Sequence, residues 1–153
     1  MNVTIYTDGS SRGNPGPGGY GVVLVAGTHR KEMAQGYRRT TNNRMELMAV
    51  IEGLRALKKK GLEVTIYSDS QYVINSIQKG WLKKWISTGF AGGKKNRDLW
   101  MEYDKVARDF SVRLIWVKGH ADNALNNRCD VLATMAADNG PHLTDIGYEA
   151  ENG

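Results

Sequence analysis

The sequence predicts a mixed α/β domain, classed as α+β in some schemes, in which helices flank a five-stranded mixed β-sheet. Three β-rich runs, NVTIYTD, YGVVLVAG and KEMAQGYRR, follow one another with short connections, which is typical of an antiparallel meander. A helical pattern then leads into a fourth run, EVTIYSD, and such a crossover brings the new strand in parallel. The predicted order is therefore βββαβ, a helical segment, one more strand and a last helix.

The helices are predicted from apolar residues at helical spacing. In the first helix these residues form one stripe, and Asn42 or Asn43 is the expected cap, with KKKG as the end. Three further segments, SQYVINSIQKG, RDLWMEYDKVARDF and NRCDVLATMAADNG, also have helical patterns, and SVRLIWVKG supplies the fifth strand. Residues 1–140 are predicted to form one domain, and residues 141–153, which show little periodicity, a partly disordered tail.

Size, charge and cysteine content restrict the class of protein. The chain has 153 residues, enough for one core, and 21 basic against 16 acidic residues give a net charge of +5. This charge favours a polyanionic partner, although it is also compatible with solubility alone. The single cysteine, Cys129, excludes an internal disulfide. With neither a signal peptide nor a membrane-spanning run in the sequence, we expect a cytoplasmic monomer.

Four carboxylates stand near the ends of predicted elements. Because the first and fourth strands are predicted to be parallel, Asp8 and Asp69 at their ends should be neighbours. Glu46 begins the first helix and Asp130 the last, and both can point towards packed structure. Oxygen ligands without a Cys or His cage suit Mg²⁺ or Mn²⁺, and two such ions serve in-line displacement at phosphate.

Taken singly, each carboxylate has a simpler interpretation. Asp8 fits a turn, Asp69 a helix cap, Glu46 the electrostatics of a helix start and Asp130 an exposed surface. Only their joint placement favours a metal site.

Five ordered motifs resemble those of bacterial type 1 ribonuclease H, the ribonuclease HI family. They are YTDGSSRGNPGPGGYG, TTNNRMELMA, YSDSQYV, WVKGH and NNRCDVLA. The resemblance extends from about Val3 to about Asn139. The resemblance implies a ribonuclease H-like fold and an endonuclease that cuts the RNA strand of an RNA–DNA hybrid, leaving a 5′-phosphate and a 3′-hydroxyl. It implies two Mg²⁺ ions during catalysis, with Mn²⁺ as a substitute.

The resemblance also implies roles for individual residues. The four metal-binding carboxylates fall on Asp8, Glu46, Asp69 and Asp130, and a mobile histidine that assists proton transfer or product departure falls on His120. Contacts to the RNA strand fall on Asn14, Asn42, Asn43 and Gln71, and a pocket for a DNA phosphate falls on Arg39, Thr41 and Asn96.

Residues 79–97 match the family's basic protrusion. This segment carries six basic residues and no acidic one, and we expect Lys83, Lys84, Lys94 and Lys95, with Lys79 and Arg97, to meet phosphates. Trp81 and Trp85 either contact a DNA sugar or anchor the protrusion by packing within the protein. Their spacing favours packing within the protein.

The sequence departs from the family pattern in two places. Many relatives have a glutamate two or three residues before Cys129, where this chain has Asn126 and Asn127. The tip STGFAGGKK is shorter and richer in glycine than in familiar bacterial members. These departures bear on the surroundings of His120 and on substrate affinity.

Three other functions are compatible with parts of the pattern. A catalytically silent nucleic-acid-binding module would lack a carboxylate, and none of the four is missing. A transposase, integrase or Holliday-junction resolvase domain would share the acids but not GNPGPGGYG, TTNNRMEL and the protrusion together. A basic structural domain would make the placement of the acids a coincidence. No motif in the sequence indicates a protein partner such as a single-strand binding protein.

Overall fold

The computed structural model describes residues 2–118 and 123–152. One mixed sheet contains six strands, in the spatial order β5-β4-β1-β2-β3-β6. The strands are β1 Asn2–Ser11, β2 Gly16–Ala26, β3 His29–Thr40, β4 Glu63–Ser68, β5 Ser111–Trp116 and β6 His142–Leu143. The helices are α1 Asn42–Arg55, α2 Gln71–Gln78, α3 Trp81–Ser87, α4 Arg97–Ala107, α5 Ala124–Asn139 and α6 Ile146–Asn152.

The first three strands form the predicted antiparallel meander, and β4 returns in parallel beside β1. The alternation in β1 buries Val3, Ile5 and Thr7 on one side of the strand. Val3 and Ile5 belong to a core that includes Leu47, Ile51 and Leu54 of α1. α5 packs on β1, β2 and β3. Helices therefore flank the sheet, as the sequence predicts.

The prediction of five strands is wrong. The sixth strand, β6, pairs in parallel with β3 through Gly36↔His142 and Tyr37↔Leu143. It lies in the segment expected to be a partly disordered tail, and α6 follows it. A strand of two residues is too short to show an alternating pattern in the sequence. Its stability comes instead from the neighbouring strand and from buried contacts with residues distant in sequence.

Two boundaries also differ from expectation. α1 ends at Arg55, well before KKKG, and its cap is Thr41, whose side chain accepts a hydrogen bond from the backbone N of Arg44 at 3.3 Å. Neither Asn42 nor Asn43 is the cap, because both already lie in the helix. α5 begins at Ala124, capped by Asn123, so Asp130 stands in its second turn and not at its start.

Within the described ranges, no helix combines the length and hydropathy needed to cross a membrane.

Candidate active site

Two aspartates leave the sheet side by side. In the parallel β1–β4 ladder, Tyr6 pairs with Tyr67, and Asp8 and Asp69 follow two residues later on their own chains. Strands that run in the same direction deliver their ends to the same edge of the sheet. The predicted neighbourhood of Asp8 and Asp69 is confirmed.

Glu46 joins them because α1 packs unusually close to the end of β1. A Cβ added at Gly9 would lie 2.3 Å from the backbone N of Glu46, so only glycine permits this approach. Each of Asp8, Glu46 and Asp69 offers a carboxylate oxygen, and these three atoms lie within 4.8 Å of one another.

Asp130 approaches from the opposite side on α5. A Cβ at Gly21 would lie 2.3 Å from the carbonyl oxygen of Cys129, so a glycine in β2 lets α5 settle against the sheet. The side chain of Asp130 lies close enough to Asp8 to raise the pKa of Asp8. All four acids line one open cleft of about 460 Å³. The structure therefore brings the four predicted carboxylates together.

Burial and mutual repulsion make this cluster costly to ionise. Burial, followed by the charge of Asp69 and the contact with Asp130, raises the pKa of Asp8 to about 8. The pKa of Glu46 is raised well above its usual range, chiefly by burial and then by Asp8 and Asp69. The backbone N–H of Gly9, which donates to Asp8 Oδ1 at 2.9 Å, offsets only part of this. Near neutral pH the cluster requires bound protons or a cation.

Two oxygen atoms indicate a cation. In the part of the chain that the structure describes, Glu46 Oε1 and Asp69 Oδ1 are buried and have no hydrogen-bond partner. Buried polar atoms are normally paired, so these two are free to bind another group. Three clustered carboxylates, two of which have an unpaired buried oxygen, fit a hard divalent cation.

Three of the four predicted RNA-side residues surround the acidic cleft, whereas Asn14 lines a neighbouring cleft. Asn42, Asn43 and Gln71 line the acidic cleft, and all three are exposed. Asn42 Oδ1 accepts from the backbone N of Ser11 at 2.7 Å, and Asn14 Oδ1 accepts from the backbone N of Asn42 at 3.0 Å. These amides tie the β1–β2 turn to the start of α1, so they have a structural role as well.

The predicted DNA-side residues line a second cleft, of about 510 Å³, beside the first. Thr41, Trp85, Lys94, Lys95 and Asn96 line this second cleft, together with Asn14 and Asn43. Arg39 lies outside its lining, with its guanidinium 5.3 Å from the ring centroid of Tyr148, which does line the cleft. Lys83 and Lys84 are exposed on α3.

The two tryptophans of the protrusion differ in their surroundings. Trp85 is half-buried and has ring centroids of Phe90 and Trp100 at 6.5 and 6.1 Å, so it anchors the protrusion. Trp81 is 41% exposed, with Lys79 Nζ 5.5 Å from its ring. The packing prediction thus fits Trp85, whereas Trp81 keeps a free face.

His120 lies outside the described residues, and its predicted role stays a prediction. Asn126 and Asn127 both line the acidic cleft. Asn126 Oδ1 is buried and has no hydrogen-bond partner among the residues that the structure describes.

Sequence reasoning missed a buried ionic network behind the second cleft. Arg44 is 1% exposed and donates to Asp145 at 2.8 and 2.9 Å and to Asp98 at 2.8 and 2.7 Å. It also donates to Asn96 Oδ1 at 3.4 Å. A signal existed, because Arg44 precedes Leu47 and Ile51 on the apolar stripe of α1.

Tyr72 was also missed as a site residue. Its hydroxyl accepts from Asn96 Nδ2 at 3.1 Å and from Trp100 Nε1 at 2.8 Å, and its side chain lines both clefts. The sequence presents Tyr72 only as apolar helix surface, since its partners lie 24 and 28 residues away.

Comparison with known proteins identifies the family. The family model described as RNase H matches residues 1–138. The chain belongs to the RNase H family. A protein of Syntrophus aciditrophicus named ribonuclease H is 51% identical over 150 residues, covering 95% of this chain and 86% of that one. A ribonuclease HI of Haemophilus ducreyi is 51% identical over 152 residues, covering 97% of each chain.

Solved structures of RNase H1 proteins have the same fold. LC9-RNase H1, described as a type 1 RNase H with the type 2 active-site motif, superposes with a TM-score of 0.81 at 32% identity, covering 97% of this chain and 79% of that one. LC11-RNase H1, solved in complex with an RNA/DNA hybrid, gives a TM-score of 0.69 at 25% identity, covering 89% and 96%. The predicted resemblance and the ribonuclease H fold are confirmed, with a six-stranded sheet.

Proposed function

We propose that this RNase H family member is an endonuclease that hydrolyses the RNA strand of RNA–DNA hybrids, with two Mg²⁺ ions or Mn²⁺ in their place, and leaves 5′-phosphate and 3′-hydroxyl ends. One observation carries the proposal. Three carboxylate oxygens lie within 4.8 Å of one another, and buried oxygens of Glu46 and Asp69 have no hydrogen-bond partner in the described part of the chain.

The four acids would be shared between two metal ions. Asp8 would be central, because it is clustered with Glu46 and Asp69 and its pKa is also raised by the nearby Asp130. Glu46 and Asp69 would hold one ion and Asp130 the other, with Asp8 shared. When bound, the two ions would lower the pKa of an attacking water and neutralise the departing 3′-oxygen.

The surrounding residues would position the two strands. Exposed Asn42, Asn43 and Gln71 lie at the rim of the acidic cleft, where they can contact 2′-hydroxyls, the groups that distinguish RNA from DNA. Asn14 would assist from the adjoining cleft. Because the acids and these amides share one cleft, the strand with 2′-hydroxyls is the strand that would be cut.

The DNA strand would cross the second cleft towards the protrusion. Thr41 and Asn96 would receive a phosphate there, with Arg39 beside them, and Lys83, Lys84, Lys94 and Lys95 would meet further phosphates. Binding would weaken steeply as salt rises. The hybrid bound to LC11-RNase H1 supports this choice of substrate. His120 would assist proton transfer or product departure, by family resemblance only.

The test is a cleavage assay with a labelled RNA–DNA hybrid in Mg²⁺, in Mn²⁺ and in EDTA. Single-stranded RNA, double-stranded RNA and double-stranded DNA serve as comparison substrates. We expect metal-dependent cutting of the hybrid's RNA strand alone, and Asp8→Asn should abolish it while hybrid binding persists.

The product ends are tested separately. RNA fragments that keep their pairing to the DNA strand should be extended directly by a DNA polymerase, since this requires a free 3′-hydroxyl. Binding of hybrid without cutting in either metal would overturn the proposal and favour the catalytically silent binding module. Fragments that need phosphatase treatment before extension would refute the proposed product ends.

The proposal extends to the protein's setting. We infer a cytoplasmic monomer whose catalytic domain comprises residues 1–140 together with β6 and α6, since β6 pairs with β3 and α6 lines the second cleft. The single cysteine, Cys129, is buried, which is compatible with a reducing compartment. Sedimentation of the pure protein tests the monomeric state.

A further inference from the structure

The C-terminal segment is held against the second cleft by a buried carboxylate. Asp145 is 3% exposed, accepts from Arg44 Nε at 2.8 Å and from Thr40 Oγ1 at 2.7 Å, and also accepts from the backbone N of Tyr148 at 3.1 Å. It therefore fixes the start of α6 to α1 and β3. Tyr148, Glu151 and Asn152 then form part of the wall of the second cleft.

Two carboxylates of α6 contact the groups proposed to bind a DNA phosphate. Glu151 Oε2 accepts from the backbone N of Asn96 at 3.3 Å. Glu149 Oε2 lies 3.7 Å from Nη1 of Arg39, whose guanidinium also stacks on Tyr148. Each carboxylate therefore contacts a donor residue that the proposed function assigns to a DNA phosphate.

We propose that Glu151, assisted by Glu149, competes with the DNA backbone for the second cleft, so that the C-terminal helix lowers the affinity for the hybrid. This inference rests on the proposed function. In the free protein the carboxylates hold the Asn96 N–H and the Arg39 guanidinium, and a DNA phosphate must displace them.

The physical basis is that a carboxylate and a phosphate are both anionic acceptors that bind the same hydrogen-bond donors. A hydrogen bond to an anion is strong, so an N–H held by Glu151 is unavailable to a second anion until that bond breaks. An unpaired carboxylate beside a phosphate would also repel it. Glu151 and Asn152 are exposed, whereas Asp145 is buried, so the end of α6 can move aside while its start stays anchored.

The competition should be modest. Electrostatic contacts of exposed carboxylates contribute little, so removing the Glu151 carboxylate should tighten hybrid binding about two- to fivefold. Removing Glu149 should have a smaller effect, because its contact with Arg39 is longer.

The test compares Glu151→Gln with Glu63→Gln. Both changes raise the net charge by one, and Glu63 is an exposed residue at the start of β4, the end of that strand remote from the acidic cleft. Hybrid affinity is measured by fluorescence anisotropy in EDTA at 0.15 M salt, where the proposed enzyme binds without cutting. We expect Glu151→Gln to bind about two- to fivefold more tightly than wild type. Glu63→Gln should change affinity less than about 1.5-fold, because the Debye length is about 8 Å.

A second measurement locates the competition. An uncharged methylphosphonate is placed in the DNA strand, one linkage at a time. At one position it should weaken wild-type binding and remove the advantage of Glu151→Gln, because the competing phosphate charge is gone. Elsewhere the advantage should persist.

Two results would overturn the inference. If Glu151→Gln binds the hybrid no more tightly than Glu63→Gln, or more weakly than wild type, α6 only supports the cleft structurally. If the gain in affinity is the same at every methylphosphonate position, it reflects the change in overall charge and not competition for one phosphate. Either failure leaves RNA-strand cutting intact, whereas loss of cutting in the cleavage assay refutes the proposed function itself.

Discussion

Replacing Asp8 by Asn should stabilise the metal-free protein while it abolishes cutting. In the folded state, burial and the neighbouring acids raise the pKa of Asp8 from 3.8 to about 8. Asp8 therefore binds a proton near neutral pH in the folded state and not in the unfolded state. Stability from this group is fully present below about pH 4 and is lost as pH rises through about 8. Asparagine carries no titrating proton, so this loss disappears.

The magnitude follows from the pKa. Each pKa unit corresponds to about 1.4 kcal/mol, so at pH 7 the three units between 3.8 and 7 set an upper limit of about 4 kcal/mol. Since the charge of Asp8 also raises the pKa of Glu46, removing that charge favours the ionisation of Glu46 as well. We expect Asp8→Asn to raise the free energy of unfolding by between about 2 and 4 kcal/mol at pH 7, and by little at pH 4.

The assay is urea denaturation in EDTA from pH 4 to pH 8.5. The matched control is Asp109→Asn, since Asp109 is a partly exposed carboxylate 3.8 Å from Lys60, and surface changes are usually within about 0.5 kcal/mol. Adding Mg²⁺ should stabilise wild type more than Asp8→Asn, because the ion replaces the proton. A wild-type stability that does not fall between pH 5 and 8, or an Asn variant no more stable at pH 7, would refute the reasoning.

Three further predictions concern the supports of the site. Gly9→Ala should cost at least about 2 kcal/mol and weaken Mg²⁺ binding in calorimetry, because the new Cβ pushes Glu46 away; a variant with wild-type Mg²⁺ affinity would contradict this. Asp145→Asn should lower the free energy of unfolding in urea by about 3 kcal/mol, because it leaves Arg44 buried with one charged partner fewer; an unchanged stability would contradict this structural role of Asp145. Tyr72→Phe should cost about 1 kcal/mol and raise KM for the hybrid more than it lowers kcat, because Asn96 Nδ2 loses its acceptor; an unchanged KM would argue against this support.

Local patterns predicted most of the sheet and the helices. Runs of β-branched and aromatic residues marked β1, β2 and β4, and the apolar stripe marked α1, since each signal lies within one element. The tail was the exception. β6 has two residues, and its partners Gly36 and Tyr37 lie more than 100 residues earlier, so no local signal exists.

Asp8 and Asp69 could be predicted as neighbours because parallel strands align their ends, whereas Glu46 and Asp130 were assigned to the same site by the family resemblance. The caps were less predictable, because Thr41, Asn42 and Asn43 all suit a helix start and the choice depends on which residue keeps an extended backbone. Arg44 was missed because its partners, Asp98 and Asp145, come from distant segments.

By itself, the sequence determined the strand order of the meander and crossover, the four acids and their family, because these are properties of spacing along one chain. Only the tertiary structure decided how closely the acids approach. That distance depends on Gly9 and Gly21, which let α1 and α5 settle against the sheet. The tertiary structure also decided that Glu149 and Glu151 lie beside Arg39 and Asn96, because a buried ion pair to Arg44 fixes the start of α6.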